Sequence, residues 1–296
     1  RRGRNWIEHD VGSGARRVEI HSGPIHTRDG DEIDTAWEAV NEDGYQWAMR
    51  RADFHVHAKA NVQHGDSIRW TDPGSGARII FQPESVRYVN RDGAEQFIAS
   101  LQSSTAQVDD GTLLWPNAMG SGRHFQYTCS TNLLEKLFII DAAANLPPAE
   151  SWLTGDKWLQ LAFVMKYQGV TPFVDGEAWR GGAAVTTSGR IEFRDAQGEV
   201  LWLVAAPVAT DADGETGTGA VRLLDQGGQF YAQVRIPLPW MRDAAYPVRV
   251  DPTLTLQPDA AAGEDTAIRS GAADNNLGTQ TSLHVGHDGG QLWRTL

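Results

Sequence analysis

The feature that most constrains this chain is its rhythm. Short runs of β-branched and aromatic residues recur along nearly the whole length, each closed by Gly, Pro, Asn or Asp, which is how strands and their turns are written. Examples are RVEIH at 17–21, ADFHVHA at 52–58, SIRW at 67–70, RIIFQ at 78–82 and SVRYV at 85–89. The pattern continues with KWLQLAFVMKY at 157–167, RIEF at 190–193, VLWLV at 200–204, AVRLL at 220–224 and QFYAQVRI at 229–236. Three of the joins carry hairpin chemistry: NRDG at 90–93, DAQG at 195–198 and DQGG at 225–228. Their glycines can take the positive φ that such turns require, so sequential antiparallel strands follow. Helical periodicity is nearly absent; residues 34–40 and 130–136 are short candidates that a sheet could absorb. The expected fold is all-β: antiparallel β-sandwich modules, one large or two packed, followed by an incomplete further β module.

With 296 residues the chain can bury a large core. Turn residues cluster at 111–122, which predicts one module over 1–115, a second over 116–252, and a third element starting at 253 and running to 296. The net charge of −12 disfavours nucleic acid and anionic membranes, because the basic residues gather only weakly, at Arg1, Arg2, Arg4, Arg16 and Arg17. The single cysteine, Cys129, cannot form an intrachain disulfide. No apolar run is long enough for a membrane span.

Candidate chemistry is sparse. His55 and His57 alternate in FHVH, so both point to one side of a strand and suit two ligands of a metal; a solvated sheet face explains them as well. Asp211 and Asp213 in DADGET supply hard oxygens around a glycine, as a structural calcium loop does, although the offsets are not those of an EF-hand. The acidic loop DGDEID at 29–34 is of the same kind. GSGAR at 12–16 and 74–78 and GSGR at 120–123 read as mobile turns, with an anion-binding nest as the sharper alternative. No nucleophile elbow, H-E-x-x-H motif, Walker loop or dinucleotide fingerprint is present, which is weak evidence against catalysis because a glycoside hydrolase needs only two carboxylates at the right separation; no catalytic residue is singled out, and no cofactor other than a structural calcium is expected. Of the 11 tryptophans most lie in apolar runs that a β core would bury, whereas Trp37, Trp47 and Trp179 lie in polar contexts and are the candidate carbohydrate contacts.

The C-terminal third carries a resemblance. The stretch AYPVRVDPTLTLQPDA at 245–260, then DTAIRS, NNLGTQ and HVGHD, resembles a segment of modular bacterial surface and secreted proteins, wall-associated and Rhs-type, and of some tailed-phage virion proteins. In that family a β module ends in a YPV-x-DPT strand and a DNRLRE-type β module follows. The matching residues are Tyr246, Pro247, Val248, Asp251, Pro252 and Thr253, then Asp265, Thr266, Asn276, Gly278, Thr279, Val285 and Gly286. GPIHTRDGDEIDTAWEAV at 23–40 is similar to the family's opening segment. The resemblance implies that residues 254–256 begin a new module, only partly present by Leu296. It also implies a virion, extracellular or cell-surface setting, and partners that are other structural subunits in a homo-oligomer or multi-protein assembly. A surface glycan is the other expected partner, through a carbohydrate-binding or carbohydrate-active β-sandwich.

Overall fold

The computed structural model describes the chain except residues 1, 4–5, 13–14, 21–24, 28–29, 131–132, 252–253, 257–266, 270–285, 289–290 and 296. The fold is all-β and antiparallel, and the contacts divide it into two compact units, Arg1–Leu256 and Gln257–Leu296. In the second unit Gln291–Thr295 pairs with Ala267–Arg269 on one edge and Gly286–Asp288 on the other. Of the C-terminal family-like positions, Asp265, Thr266, Asn276, Gly278, Thr279 and Val285 lie outside the described residues.

The first unit is a sandwich of two large sheets, with a separate three-stranded sheet formed by Arg2–Gly3, Trp6–Gly12 and Ala15–Ile20. The ten-stranded sheet runs from Val185–Thr187 through Ala220–Gln226, Gln229–Pro237, Lys157–Gln168 and Arg78–Asn90 to Ile68–Thr71, His55–Ala58, Tyr45–Met49 and Glu38–Glu42. Glu95–Ser100 folds back on Arg78–Asn90 through the NRDG turn, where Gly93 has φ +85°. The runs at 78–82 and 85–89 are one strand of 13 residues, with Pro83 at a register shift against Ala162 and Phe163, the position at which a missing N–H is tolerated.

In the opposing twelve-stranded sheet, Gln107–Asp109, Thr112–Trp115, Arg123–Cys129 and Leu133–Ile140 pair in sequence order. The expected division near residues 111–122 thus falls inside a run of hairpins, and strands from both sides of residue 115 pair directly, as Arg78–Asn90 does with Lys157–Gln168. Residues 1–115 and 116–252 are not separate compact bodies. Both short helical candidates are absorbed by strands, Glu38–Glu42 and Leu133–Ile140. The one α-helix among the described residues, Leu238–Asp243, has Pro239 in its first turn, where no N–H is needed, and buries Leu238 and Met241 one turn apart.

Alternation of side chains sends one face of each sheet into a shared core. Aromatic pairs from opposite sheets close it: Trp70 with Trp202 at 6.4 Å between centroids, Phe81 with Phe193 at 6.4 Å and Phe125 with Phe163 at 5.8 Å. The edge-on geometry of these pairs is the favoured one for aromatic quadrupoles.

The C-terminal stretch takes a different place from the one expected. Val248–Asp251 pairs with Leu133–Ile140 on one edge and Val208–Thr210 on the other. Leu254–Leu256 pairs with the first half of that same Leu133–Ile140 strand and with Val200–Val204. Residues 254–256 therefore belong to the first unit and do not begin another module. The ladder made by Val248–Asp251 does not end the sheet, because the chain pairs with the same neighbour again at Leu254 and Thr255. Among the described residues Leu254–Leu256 is the only link between Leu133–Ile140 and the part of the sheet that contains Val200–Val204, Ile191–Arg194 and Thr171–Val174, while Val248–Asp251 links it to Val208–Thr210 and Thr216–Thr218.

A truncation series tests this directly. The fragment 1–256 is expected to unfold cooperatively, whereas 1–252 loses the Leu254–Leu256 ladder, about 3 kcal/mol for a few net hydrogen bonds at about 1 kcal/mol each. Its melting temperature should fall by roughly 5–10 °C in a calorimetric scan. Equal melting temperatures would show that residues 254–256 are dispensable.

Candidate functional site

The His55 and His57 pair sits on the strand His55–Ala58, but its surroundings do not complete a metal site. His57 is buried, 3.6 Å from Glu42 Oε2, with the Arg69 guanidinium beside it; burial and that cation hold its pKa below the ordinary value. Burial and the Arg50 charge act the same way on His55. No group of three or more His, Cys, Asp or Glu side chains among the described residues could hold a metal ion.

Asp211 and Asp213 form a turn rather than a pair of ligands. Asp211 Oδ1 accepts the backbone N–H of Asp213 at 3.0 Å and of Glu215 at 2.9 Å, and Oδ2 accepts that of Ala245 at 3.0 Å. Asp213 is exposed on the outside of the turn. The bond to Ala245 leads those that hold the Asp211 carboxyl below the usual range. It ties the 211–215 loop to the residue that precedes Tyr246 and Pro247. The GSGAR turn at 74–78 is likewise closed internally: Asp72 Oδ2 accepts the N–H and Oγ–H of Ser75. At 120–123 the N–H of Gly122 donates to Asn117 Oδ1.

The three tryptophans singled out are not exposed platforms. Trp37 and Trp179 are both 7% exposed; the Trp37 indole donates to Gly111 O at 3.1 Å, and that of Trp179 to Ala183 O at 3.2 Å. Trp47 is partly buried against the core. Their polar sequence neighbours reflect strand alternation and loops, while the rings themselves point inward. Among the described residues, the large apolar side chains that face solvent are Phe97, 59% exposed, and Trp152, 54% exposed.

The most perturbed basic group is Lys136, buried between the sheets with Nζ 4.5 Å from the Phe81 ring centroid and 4.2 Å from that of Phe163. Burial pushes its ammonium down to about 7, against the pull of the Asp251 carboxylate. The adjoining cavity, about 20 Å³ between Trp70, Phe81, Tyr127 and Lys136, has room for no more than one water. A substrate cannot reach the amine, so its low pKa is a packing consequence.

The outer face of the ten-stranded sheet offers more. Leu159, Leu161, Val234, Ile236, Val86 and Tyr88 point into the core, so their alternates point out. Arg235, Gln160, Arg87 and Phe97 are directly in register across four strands. Arg222 and Gln233 form the next row. The arginines and glutamines of these rows line a cleft of about 420 Å³ that also receives Arg91, Glu84, Glu95 and Tyr231, with Phe97 beyond it at the end of the first row. Arg235 Nε donates to Gln160 Oε1 at 2.8 Å, and Arg222 Nη1 to Gln233 Oε1 at 3.0 Å. Neither guanidinium is within ion-pair distance of a carboxylate among the described residues, whereas Arg87 pairs with Glu95 at 2.5 Å. Other clefts differ in this respect. In the one around Tyr45, Arg69 pairs with Asp43 at 3.2 Å and Lys166 with Asp66 at 2.6 Å. In another, of about 660 Å³, Arg50 pairs with Glu42 and Arg51 with Asp34.

Two outcomes are expected. Lys136 has a folded pKa near 7 and an ordinary value of 10.5, so between these the unfolded chain binds the extra proton. Stability should rise as pH climbs from about 7 toward 10.5 and be lost on returning. Lys136→Met should flatten that slope and stabilise the protein at pH 7 by about 1–4 kcal/mol in denaturant titrations. For Asp211 the sign is opposite: its folded pKa is depressed, so its contribution is present above the ordinary carboxylate pKa and lost as pH falls through the folded value. Asp211→Ala should lower the melting temperature at neutral pH and narrow the gap to wild type in acid; a constant gap would contradict the role assigned to the carboxylate. Compared with models of known protein families, with curated proteins and with solved structures, the chain matches none.

Proposed function

We propose that this chain is a non-catalytic structural or adhesion component of a large extracellular assembly, a phage virion protein (fibre, tail or capsid-associated) or a bacterial cell-surface relative. The observation that supports this reading best is how the first unit ends. Its last strand, Leu254–Leu256, is hydrogen-bonded on both edges, and the chain passes from there straight into the second unit. A pull transmitted along the chain at Leu256 must shear two ladders at once instead of peeling a free edge strand. That is what a module strung between others in a load-bearing assembly requires. The YPV-x-DPT resemblance, on Tyr246, Pro247, Val248, Asp251, Pro252 and Thr253, supports the same setting.

The decisive measurement is occupancy in an assembly. Mass spectrometry of purified particles and cell-surface fractions should find the protein in stoichiometric amount, and light scattering on the full chain should show a multimer. A monomer absent from both fractions refutes the proposal.

A further inference from the structure

The cleft on the outer face of the ten-stranded sheet combines three kinds of group that seldom coincide. It has guanidinium groups without carboxylate partners, Arg222 and Arg235, beside two glutamines buried beneath them, Gln160 at 1% and Gln233 at 7% exposure. Each glutamine accepts an arginine N–H through its Oε1, and its Nε2 donates to no described side chain or backbone group. It has acceptors at the rim, Glu84 with Tyr231 bonded to it, and Glu95. And the row that holds Arg235, Gln160 and Arg87 ends on Phe97, the most exposed large apolar side chain described, about 14 Å from Arg235 at the ordinary strand spacing.

We infer that this face binds a carboxylate-bearing glycan, a chain of uronate-type sugars laid across the strands from Arg222 and Arg235 toward Phe97. The planar forks of the two arginines match carboxylates bidentately. The rim carboxylates and the glutamine amides match vicinal hydroxyls, which both donate and accept. The Phe97 ring matches the C–H face of a sugar. A polyphosphate chain is a poorer occupant, because its dense charge meets a protein of net charge −12. An acidic peptide has carboxylates for the arginines but no vicinal hydroxyls to offer Glu84, Glu95 and the glutamine amides. The four arginines and two glutamates of the cleft leave an excess of positive charge on an otherwise acidic molecule. Burial lowers the pKa of Arg235 and the Arg222 charge adds to that, a repulsion that a bound carboxylate relieves.

This inference deepens the adhesion reading and rests on it, yet it fails separately. Calorimetric titration of the full chain with a short oligogalacturonate is expected to show saturable binding that weakens as salt is added. The fully methyl-esterified oligosaccharide, which lacks the charge, should not bind. Arg222→Gln and Arg235→Gln should each weaken binding about tenfold or more, the loss of one charge-assisted pair. Phe97→Ala, at an exposed position that folding does not need, should weaken it as well, and Arg249→Gln on the other sheet should leave it unchanged. No binding at millimolar ligand, or binding indifferent to Arg222, Arg235 and Phe97, overturns the inference. Equal binding of polyglutamate with the same arginine dependence replaces the glycan by an acidic peptide and overturns it too. Lost glycan binding with particle incorporation intact would defeat this inference alone; glycan binding in a protein absent from every particle would defeat only the assembly reading.

Discussion

The strand Leu133–Ile140 holds two successive pieces of the chain end on one edge, and the twelve-stranded sheet depends on that arrangement. Its last residues pair with Val248–Asp251 and its first with Leu254–Leu256. On their far sides those pieces engage Val208–Thr210 and Val200–Val204. Remove them and the sheet divides into a hairpin run from 107 to 140, a group of strands from 171 to 204, and the pair Val208–Thr210 with Thr216–Thr218. The first two groups share the aromatic seam: Phe125 comes from one, Phe193 and Trp202 from the other. Hydrogen bonds of modest individual value thus keep in place a core whose burial stabilises the fold more than they do.

With the inner faces committed to that core, polar chemistry is displaced to two kinds of place. One is the loops, where carboxylates such as Asp211 and Asp72 close turns on backbone N–H groups. The other is the outer sheet face, where long side chains lie flat over buried amides. Lys136 is the exception, a cation inside the seam that sits over two aromatic rings. The cleft of Arg222 and Arg235 owes its character to the same partition. There the buried amides of Gln160 and Gln233 lie under the arginines and accept their N–H groups.

Much of the fold is legible because turn chemistry is local. NRDG, DAQG and DQGG each join the strands that their neighbours suggest, with positive φ at Gly93, Gly198, Gly227 and Gly228. Strands too short or too polar to carry a pattern escape notice, such as Gln107–Asp109, since pairing to Thr112–Trp115 defines them more than composition does. The boundary expected at residue 253 is misplaced for a related reason: a proline reads as the end of a sheet, and nothing local reveals that the same partner is met again beyond it. The site is hardly legible. Arg87, Gln160, Arg222 and Arg235 lie on four strands far apart in sequence, and only the register brings them into rows. The tryptophans mislead because polar flanking residues say little about where an indole points.

The position of the closing strands also sets an order of events during synthesis. A ribosome delivers residues 107–210 well before residue 256, so Leu133–Ile140 and Val200–Val204 emerge with open edges that only the last residues of the unit can occupy. Hairpins can form as they appear, but the sheet stays in separate parts until translation of the unit is complete. A ribosome stalled short of residue 254 would present those edges to neighbouring nascent chains, and the demand for a holding chaperone should be greatest in that interval.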